Sequence, residues 1–384
     1  MDTKRHRGAW AVLGLVAVVA LALGLGASQA ARGGKAATPL SKTCGSKLVV
    51  QTDWFPEPEH AALYQFAGVN GSIDKEKGRY TGTVQGVQIE IRAGGPYTGF
   101  QQPISQMYQD ASITLGYVNS DEAVQLSKKL PTVAIVAPLE FSPQILMWNP
   151  EKLNITKFSD IQNKYPSTPV VVFAGGVWVD YLVGRGWVNK AQVDSSYDGS
   201  PTRFVAKDGA ILQQGFVTSE PYQYKNDIKQ YGKDVAYLLI KNSGYVPYPE
   251  PLAATPAVLK AKDKCFKLLV PLIQKAQVAY MKNPGPVNAK LVDIVKTLAT
   301  FWVLSPEGNA YNVATQRKLG IVQNGPNCTL GDFNMKRLQG VINQTTPIYE
   351  KGGLDTYVPG LKAAQIATNK YIDPKIHLKT TKCK

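Results

Sequence analysis

The chain has 384 residues, of which 44% are hydrophobic and 18% charged, and its formal net charge is +15. This length can bury a large core and predicts two or three domains, while the ordinary apolar content excludes a disordered chain. The lysines are scattered in short pairs, and no basic run alternates with aromatic residues. The charge therefore favours general attraction to anionic membrane or wall polymers over a nucleic-acid groove.

The N-terminus has the pattern of an export signal. Three basic side chains within the first seven residues precede an uncharged apolar stretch over residues 10–25. Small residues then occupy the positions that a signal peptidase reads, which predicts a signal peptide over residues 1–30, cleaved after Ala30. Cleavage would lower the net charge to +13, since three bases and one acid leave (15 − 3 + 1). The alternative is an uncleaved anchor, although about 16 apolar residues fall short of the roughly 20 that a bilayer requires.

The four cysteines of the chain predict up to two disulfides if it is exported. No C-x-x-C spacing occurs, which argues against a zinc or redox site. Three pairings are open; we favour Cys44 with Cys383, which would tie the termini together, and Cys265 with Cys328. Residues 31–46, rich in small and polar side chains, are predicted to be a flexible leader.

A strand, turn and helix start follow one another over residues 48–64. The apolar run 48–50 is typical of a buried strand, and a helix is predicted from His60 onward. The turn between them lies beyond the carboxyl end of the strand, where open α/β sheets bind ligands. This turn and helix start carry the polar and aromatic side chains of Asp53, Trp54, Phe55, Glu59 and His60.

The same turn carries a resemblance to a known family. Asp53, Trp54, Pro56 and His60 resemble the D-W-x-P-x-x-x-H signature of the NMT1/THI5-like solute-binding proteins. These proteins serve ABC importers and are similar to the nitrate, sulfonate and taurine binders. The resemblance implies an α/β type II periplasmic binding protein with two βα lobes joined by two crossings. It covers roughly residues 47–376.

Two further stretches resemble the family. The predicted strand 87–91 runs into a G-G-P turn at residues 94–96, and the T-S-E-P-Y run at 218–222 resembles an element that faces the ligand from the second lobe. The implied division places the first part of lobe 1 at residues 47–147, lobe 2 at 148–245 and a mainly helical return of lobe 1 at 246–384. Departures are the Glu-Pro-Glu before His60 and a long glycine-containing segment over residues 67–86, predicted as a loop or hairpin.

Hydrophobic patterning predicts the remaining elements. Strands are predicted over residues 113–117, 133–137, 144–148, 170–173 and 235–240. Helices are predicted over residues 104–110, 179–185, 256–281, 287–302, 306–319, 332–340 and 361–372, and a further helix is predicted to begin at residues 119–122. Residues 245–251 are predicted to be an extended return crossing.

The candidate ligand-binding residues are of two kinds. Stacking faces come from aromatic side chains, and polar contacts from acceptors and donors. The predicted set is Asp53, Trp54, His60, Tyr117, Phe141, Ser142, Trp178, Glu220 and Tyr222. Alternatives remain for several of them: Trp54, Phe55 and Trp178 would also suit a core, Asp53 a helix cap, and His60 a satisfied helix position.

Catalysis is not predicted. Only three histidines exist, and no H-E-x-x-H, G-x-S-x-G or P-loop pattern is present. The eukaryotic pyrimidine synthases that resemble this family carry a C-C-C-F-C run and a lysine for pyridoxal phosphate, and this sequence has neither at the matching positions. A carboxylate site in which Asp53, Glu59 and Glu220 converge stays as an alternative.

These features predict an exported, monomeric, non-enzymatic protein that works with ABC permease subunits and needs no cofactor or metal. Carboxylates accept N–H bonds, so the motif residues favour a thiamine-precursor pyrimidine over an oxyanion. The alternatives are a riboflavin-like solute, a sulfonate or nitrate, or an exported enzyme acting on a pyrimidine heterocycle.

Overall fold

The computed structural model describes residues 39–383. The signal peptide predicted over residues 1–30 lies outside the described residues, as does the leader up to residue 38. Residues 39–46 are described, and they are not a flexible leader, because they contain a helix with a buried face.

Twelve strands occur in this part of the chain. They are β1 (Lys47–Gln51), β2 (Ser72–Asp74), β3 (Arg79–Val84), β4 (Val87–Arg92), β5 (Leu115–Tyr117), β6 (Val133–Val136), β7 (Gln144–Trp148), β8 (Val170–Val171), β9 (Val193–Asp194), β10 (Leu212–Phe216), β11 (Ala236–Leu239) and β12 (Leu252–Ala254).

Thirteen α-helices accompany the strands. They are α1 (Leu40–Cys44), α2 (Ala61–Ala67), α3 (Pro103–Gln109), α4 (Ser120–Gln125), α5 (Ser159–Lys164), α6 (Val177–Gly184), α7 (Thr202–Ala206), α8 (Glu220–Asn226), α9 (Pro256–Ala261), α10 (Asp263–Lys282), α11 (Gly285–Leu298), α12 (Pro306–Leu319) and α13 (Met335–Lys351). Within residues 39–383, none of the helices combines the length and the apolar character that crossing a bilayer requires.

The strands form two sheets, one for each lobe. The first has the order β2-β3-β4-β1-β5-β12-β6, and the second has the order β11-β7-β10-β8-β9. In the first sheet β1 runs parallel to β4 and to β5, whereas β12 is antiparallel to β5. Strand β1 is buried from Leu48 to Gln51, as expected for a central strand that is covered on both faces.

The chain crosses between the sheets twice, after β6 and again before β12. The second lobe begins earlier than predicted, because β7, which starts at Gln144, pairs with β10 and β11 of the second sheet, whereas residues up to 147 were assigned to lobe 1. Arg337 of α13 holds both crossings: its guanidinium donates to the carbonyl of Glu140 at 2.7 Å and to the carbonyls of Val246 and Pro247 at 2.7 and 3.0 Å. The mixed α/β, two-lobed architecture predicted from the sequence is thereby confirmed.

The glycine-containing segment 67–86 forms a hairpin rather than a loop. Strands β2 and β3 pair antiparallel, and β3 continues into a second hairpin with β4.

The helix predicted over residues 361–372 is wrong. Only a 3₁₀ turn, Ala363–Gln365, forms there. Ala134 of β6 instead donates to the carbonyl of Ile366 at 2.8 Å and accepts from the N–H of Thr368 at 2.9 Å. Strand β6 lies at the end of its sheet, so the tail satisfies backbone groups that would otherwise be an open edge.

Both favoured disulfide pairings are also wrong. Cys44 bonds with Cys265 and Cys328 with Cys383. The first bond fixes α1 on α10, and Lys262 adds a hydrogen bond of 2.7 Å to the carbonyl of Cys44. The cysteine that the sequence assigns to a free leader is therefore anchored in the fold.

Candidate functional site

A cavity of about 460 Å³ lies between the two lobes. Its walls come from segments at the carboxyl ends of β1 and β5 in the first sheet and of β8, β9 and β10 in the second. The second crossing completes it through residues 245–250. This volume is within the range of small-molecule sites, and its position agrees with the place expected for ligands in open α/β sheets.

The D-W turn at Asp53 and Trp54 is fixed by hydrogen bonds from the G-G-P turn at residues 94–96. Gly94 donates to the carbonyl of Trp54 at 2.9 Å, and Gly95 donates to the carbonyl of Asp53 at 3.1 Å. A Cβ on Gly94 would overlap the backbone of Asp53, so only glycine permits this approach. The glycines therefore serve to position the D-W turn, and Asp53 and Trp54 are directed into the cavity.

His60 lies one layer behind the cavity. Its side chain is fully buried, its Nε2 is 3.0 Å from Oδ1 of Asp53, and its ring stacks on Tyr117 with centroids 5.0 Å apart. The same Nε2 lies 3.7 Å from Glu57 and 3.6 Å from Glu250. One imidazole therefore contacts three carboxylates, of which Asp53 is the most exposed at 26%.

A second acidic group follows β5, the strand beside β1. Oε1 of Glu122 accepts from Gln102 and Asn119, each at 3.1 Å, while Oε2 has no hydrogen-bond partner. Burial, with the nearby charge of Asp121, raises the pKa of Glu122 to about 8.

Glu250 reaches the same point from the second crossing. It precedes β12, whose Leu252 pairs with Tyr117 at the end of β5, so topology brings Glu250 to the edge from which Asn119 and Glu122 project. Its N–H donates to Asn119 at 3.0 Å, its φ is +51°, and it is 2% exposed. Burial and the charge of Asp53 raise the pKa of Glu250 well above its ordinary value.

Aromatic side chains form the other walls. Trp54 from lobe 1 meets Phe173 of lobe 2 with centroids 5.2 Å apart, and Phe173 meets Tyr197 at 4.7 Å. Trp302, from the segment between α11 and α12, lies 5.8 Å from Trp54, and Trp178 lines the cavity from the first turn of α6. A flat solute would find stacking faces on both lobes.

The T-S-E-P-Y run serves two purposes. Glu220 lines the cavity as the first residue of α8, and its Oε2 accepts from the N–H of Phe216 at 2.7 Å. Burial raises the pKa of Glu220 to about 7. Thr218 instead bonds to the buried Glu59 of lobe 1, which also accepts from Asn312 of α12 at 3.0 Å through each oxygen. Glu59 therefore joins the lobes and does not face the solute.

The nine predicted site residues divide into three groups. Asp53, Trp54, Ser142, Trp178 and Glu220 line the cavity. His60 and Tyr117 lie behind Asp53, both almost fully buried.

Phe141 and Tyr222 lie away from the cavity. The Phe141 ring is covered by the side-chain cations of Lys241 and Arg337, at 4.8 and 4.6 Å from its centroid. Tyr222 packs on Tyr311 of α12 with centroids 5.5 Å apart.

Sequence reasoning missed several cavity residues, among them Gln102, Glu122, Phe173, Tyr197, Gln214 and Glu250. Phe173 follows the buried strand β8, and this position was the one available signal, whereas Tyr197 follows the half-buried two-residue strand β9. No local pattern distinguishes Glu250, since it becomes part of the site only through the pairing of β12 with β5.

Asp53, His60 and Glu250 offer ligand atoms within 4.8 Å of one another. Imidazole with two carboxylates is a donor set that suits a divalent cation. Among residues 39–383, no other group of three or more histidine, cysteine or acidic side chains brings its ligand atoms this close together.

The class of protein follows from this arrangement: two βα lobes, two crossings and an interlobe cavity make the type II periplasmic binding fold. No family model and no curated protein matches the sequence. Among solved structures, the periplasmic aliphatic sulphonate-binding protein SsuA from Escherichia coli is similar over 85% of this chain and 99% of that one, with 13% identity and a TM-score of 0.55. The alkanesulfonate-binding protein SsuA from Xanthomonas axonopodis pv. citri, bound to MOPS, covers 84% of this chain and 99% of its own, with 9% identity and a TM-score of 0.55.

Proposed function

We propose that this protein is the solute-binding component of an ABC importer and that it binds a thiamine-precursor pyrimidine between its lobes. The fold is that of periplasmic binding proteins, and the predicted export signal would place such a protein where an importer collects solutes. In this reading the protein delivers its solute unchanged to permease subunits.

The observation that supports this ligand class best is the polarity of the cavity. Among the described residues that line it, none is lysine or arginine, whereas seven are carboxylic acids: Asp53, Glu57, Asp121, Glu122, Asp198, Glu220 and Glu250. A sulfonate or nitrate needs donors, and acids offer acceptors or, when protonated, single donors. An aminopyrimidine supplies N–H donors and a flat ring for Trp54 and Phe173.

The Asp53–His60 pair does not favour the alternative of an enzyme. A general base must reach the proton that it takes from the substrate. His60 is not part of the cavity wall, and its second ring nitrogen, Nδ1, is buried without a partner. Its role is to orient Asp53, so we expect the solute to be recovered chemically unchanged after incubation with the protein.

The test is thermal unfolding of the purified protein with hydroxymethyl- and formylaminopyrimidines, thiamine, riboflavin, taurine and nitrate. A ligand at 100 times its Kd stabilises by about 2.7 kcal/mol, which raises the midpoint by a few degrees. We expect a pyrimidine to produce this rise, and Trp54→Ala and Glu220→Ala to abolish it.

A matched control is Tyr237→Ala, which removes a 38% exposed aromatic side chain on β11, outside the cavity wall. It should respond to ligand as the unmodified protein does. A midpoint that rises only with taurine or nitrate would contradict the proposed ligand class, and conversion of the pyrimidine into a product would contradict a binding role.

A further inference from the structure

This inference rests on the proposed solute-binding function and concerns the acidic end of the cavity, which selects the charge of the solute. Asp53, Glu57, Glu122 and Glu250 converge there from three separate segments of lobe 1. We propose that the solute binds as an organic cation, a planar nitrogen group of the amidinium or guanidinium type whose paired N–H donors face Glu250 and Glu122.

The charge balance at this end supports a cation. His60 is the one basic side chain in contact with these acids among residues 39–383, and it can carry at most one positive charge against four carboxyl groups. Within residues 39–383, no lysine or arginine lines the cavity. Burial raises the pKa of Glu122 and Glu250; a cation would favour their ionised forms, whereas an anion would oppose ionisation.

Two carboxylate oxygens at this end are left without hydrogen bonds. Oε2 of Glu250 and Oε2 of Glu122 are both buried and have no hydrogen-bond partner, although Oε2 of Glu250 lies 3.6 Å from Nε2 of His60; the other oxygen of Glu122 already accepts from two amides. A buried acceptor without a donor is costly, and native structures rarely keep one without a reason. A planar cation that carries several N–H groups would donate one to each acid, and hydrogen bonds between charged partners are stronger than neutral ones.

The backbone at Glu250 points to the same role. A φ of +51° is unusual for a residue with a side chain, and such strain persists where surrounding contacts impose it. Here the N–H of Glu250 is fixed by Asn119, which also donates to Glu122. Asn119 thereby sets the spacing of the two acidic side chains.

Aromatic faces beside this end suit a planar cation as well. Trp54 and Phe100 line the cavity with ring centroids 6.2 Å apart, and Trp54 also contacts Phe173 across the cleft. Cations bind over the faces of such rings, most strongly over tryptophan.

The experiment compares three probes that share one ring and differ in the charge of the attached group: benzamidine, benzamide and benzenesulfonate. Binding to the purified protein is measured by calorimetry at neutral pH. We expect benzamidine to bind and the other two to bind at least tenfold more weakly. Glu250→Gln and Glu122→Gln should each lower the affinity for benzamidine by about 10- to 100-fold, the range for hydrogen bonds to charged groups.

The matched control is Glu151→Gln, which removes the same charge from a side chain that is 71% exposed and lies on lobe 2 outside the cavity. Its affinity for benzamidine should be unchanged. Glutamine imitates a protonated carboxyl group, so the cavity variants should fold, and their unfolding midpoints without ligand verify this.

Equal binding of benzamide and benzamidine, binding of benzenesulfonate alone, or no binding of benzamidine would overturn the cation assignment. A second result would also overturn it: zinc chloride stabilises the protein, Glu250→Gln abolishes that stabilisation, and benzamidine has no effect. The acids would then bind a metal ion. These outcomes are separable from the ligand test above. If a pyrimidine binds and the charge of the probe makes no difference, the proposed function stands and the cation assignment fails. If benzamidine binds and no pyrimidine does, the cation assignment stands and only the pyrimidine ligand of the proposed function is contradicted.

Discussion

Nε2 of His60 lies 3.0 Å from Oδ1 of Asp53, so the acid of the D-W turn is held by a ring that is itself fully buried. The stacked Tyr117 fixes the plane of that ring. The direction in which Asp53 enters the cavity therefore depends on packing behind it.

Replacing His60 tests this dependence. We expect His60→Phe to keep most of the stacking on Tyr117 but to weaken solute binding about tenfold, because Asp53 loses the partner that orients it, a change of about 1.4 kcal/mol. His60→Ala should also lower the free energy of unfolding by about 3 kcal/mol, as expected for a deleted buried ring. Calorimetry and urea unfolding measure the two effects.

His377→Ala is the matched control, since it removes the other histidine among the described residues, which lies in the tail away from the cavity. It should change neither quantity. Unaltered solute affinity in both His60 variants would mean that Asp53 needs no orienting partner.

The lobes are joined by Glu59, which is 1% exposed and accepts from Thr218 and Asn312. Glu59→Ala leaves two buried donor groups unpaired, so we expect the free energy of unfolding to fall by about 3 kcal/mol. Thr218→Val removes one donor only and should cost about 1 kcal/mol. Urea unfolding measures both changes.

Glu307→Ala, on the exposed first turn of α12, is the control for Glu59 and should lie within about 0.5 kcal/mol of the unmodified protein. A loss at Glu59 no larger than this would show that the contact contributes nothing to joining the lobes.

The buried acids predict how stability depends on pH. The pKa of Glu122 is about 8 and that of Glu220 about 7 in the fold, against an ordinary value of 4.5. Between these values the folded protein holds protons that the unfolded chain has released. The ligand-free protein should therefore be most stable near pH 4.5 and lose stability as pH rises to about 8, by up to about 1.4 kcal/mol per pH unit for each such group.

Urea unfolding from pH 4.5 to 8.5 measures this slope. The variants Glu122→Gln and Glu220→Gln should each reduce the slope of stability against pH. Part of the slope should remain, because burial also raises the pKa of Glu140 to about 7. A stability that increases with pH across this range would contradict the raised values. A bound cation should reverse part of the effect, since it favours ionised carboxylates.

The disulfide pairing gives a fourth prediction. Peptide mapping without reduction should recover Cys44 joined to Cys265 and Cys328 joined to Cys383. The two closed loops span 221 and 55 residues and do not overlap. Chain entropy then predicts that replacing Cys44 and Cys265 by serine costs about 1 kcal/mol more than replacing the other pair.

Urea unfolding of the two double-serine variants compares these losses directly. Recovery of a peptide that joins Cys44 to Cys383 would contradict the pairing, and a larger loss at the Cys328–Cys383 bond would contradict the entropic ranking.

Features that depend on neighbouring residues could be predicted from the sequence. The strands at β1, β4, β6 and β7, helix α12 and the D-W turn were predicted close to their places, because apolar periodicity and turn chemistry act over a few residues. The type II architecture followed from the order of these elements together with the motif. Asp53, Trp54 and Glu220 were found because each lies just beyond the carboxyl end of a strand, where the fold positions its ligands.

Contacts between groups that are distant in the sequence could not be predicted in this way. Glu250 lies near Asp53 because β12 pairs with β5, although the whole second lobe separates the two strands in the sequence. No local pattern near residue 250 predicts that pairing. The cysteine partners, the tail that pairs with β6 and the packing of Arg337 over the Phe141 ring depend on the same long-range placement. Contacts between remote segments depend on how the sheets and crossings pack, and local sequence propensity does not encode them.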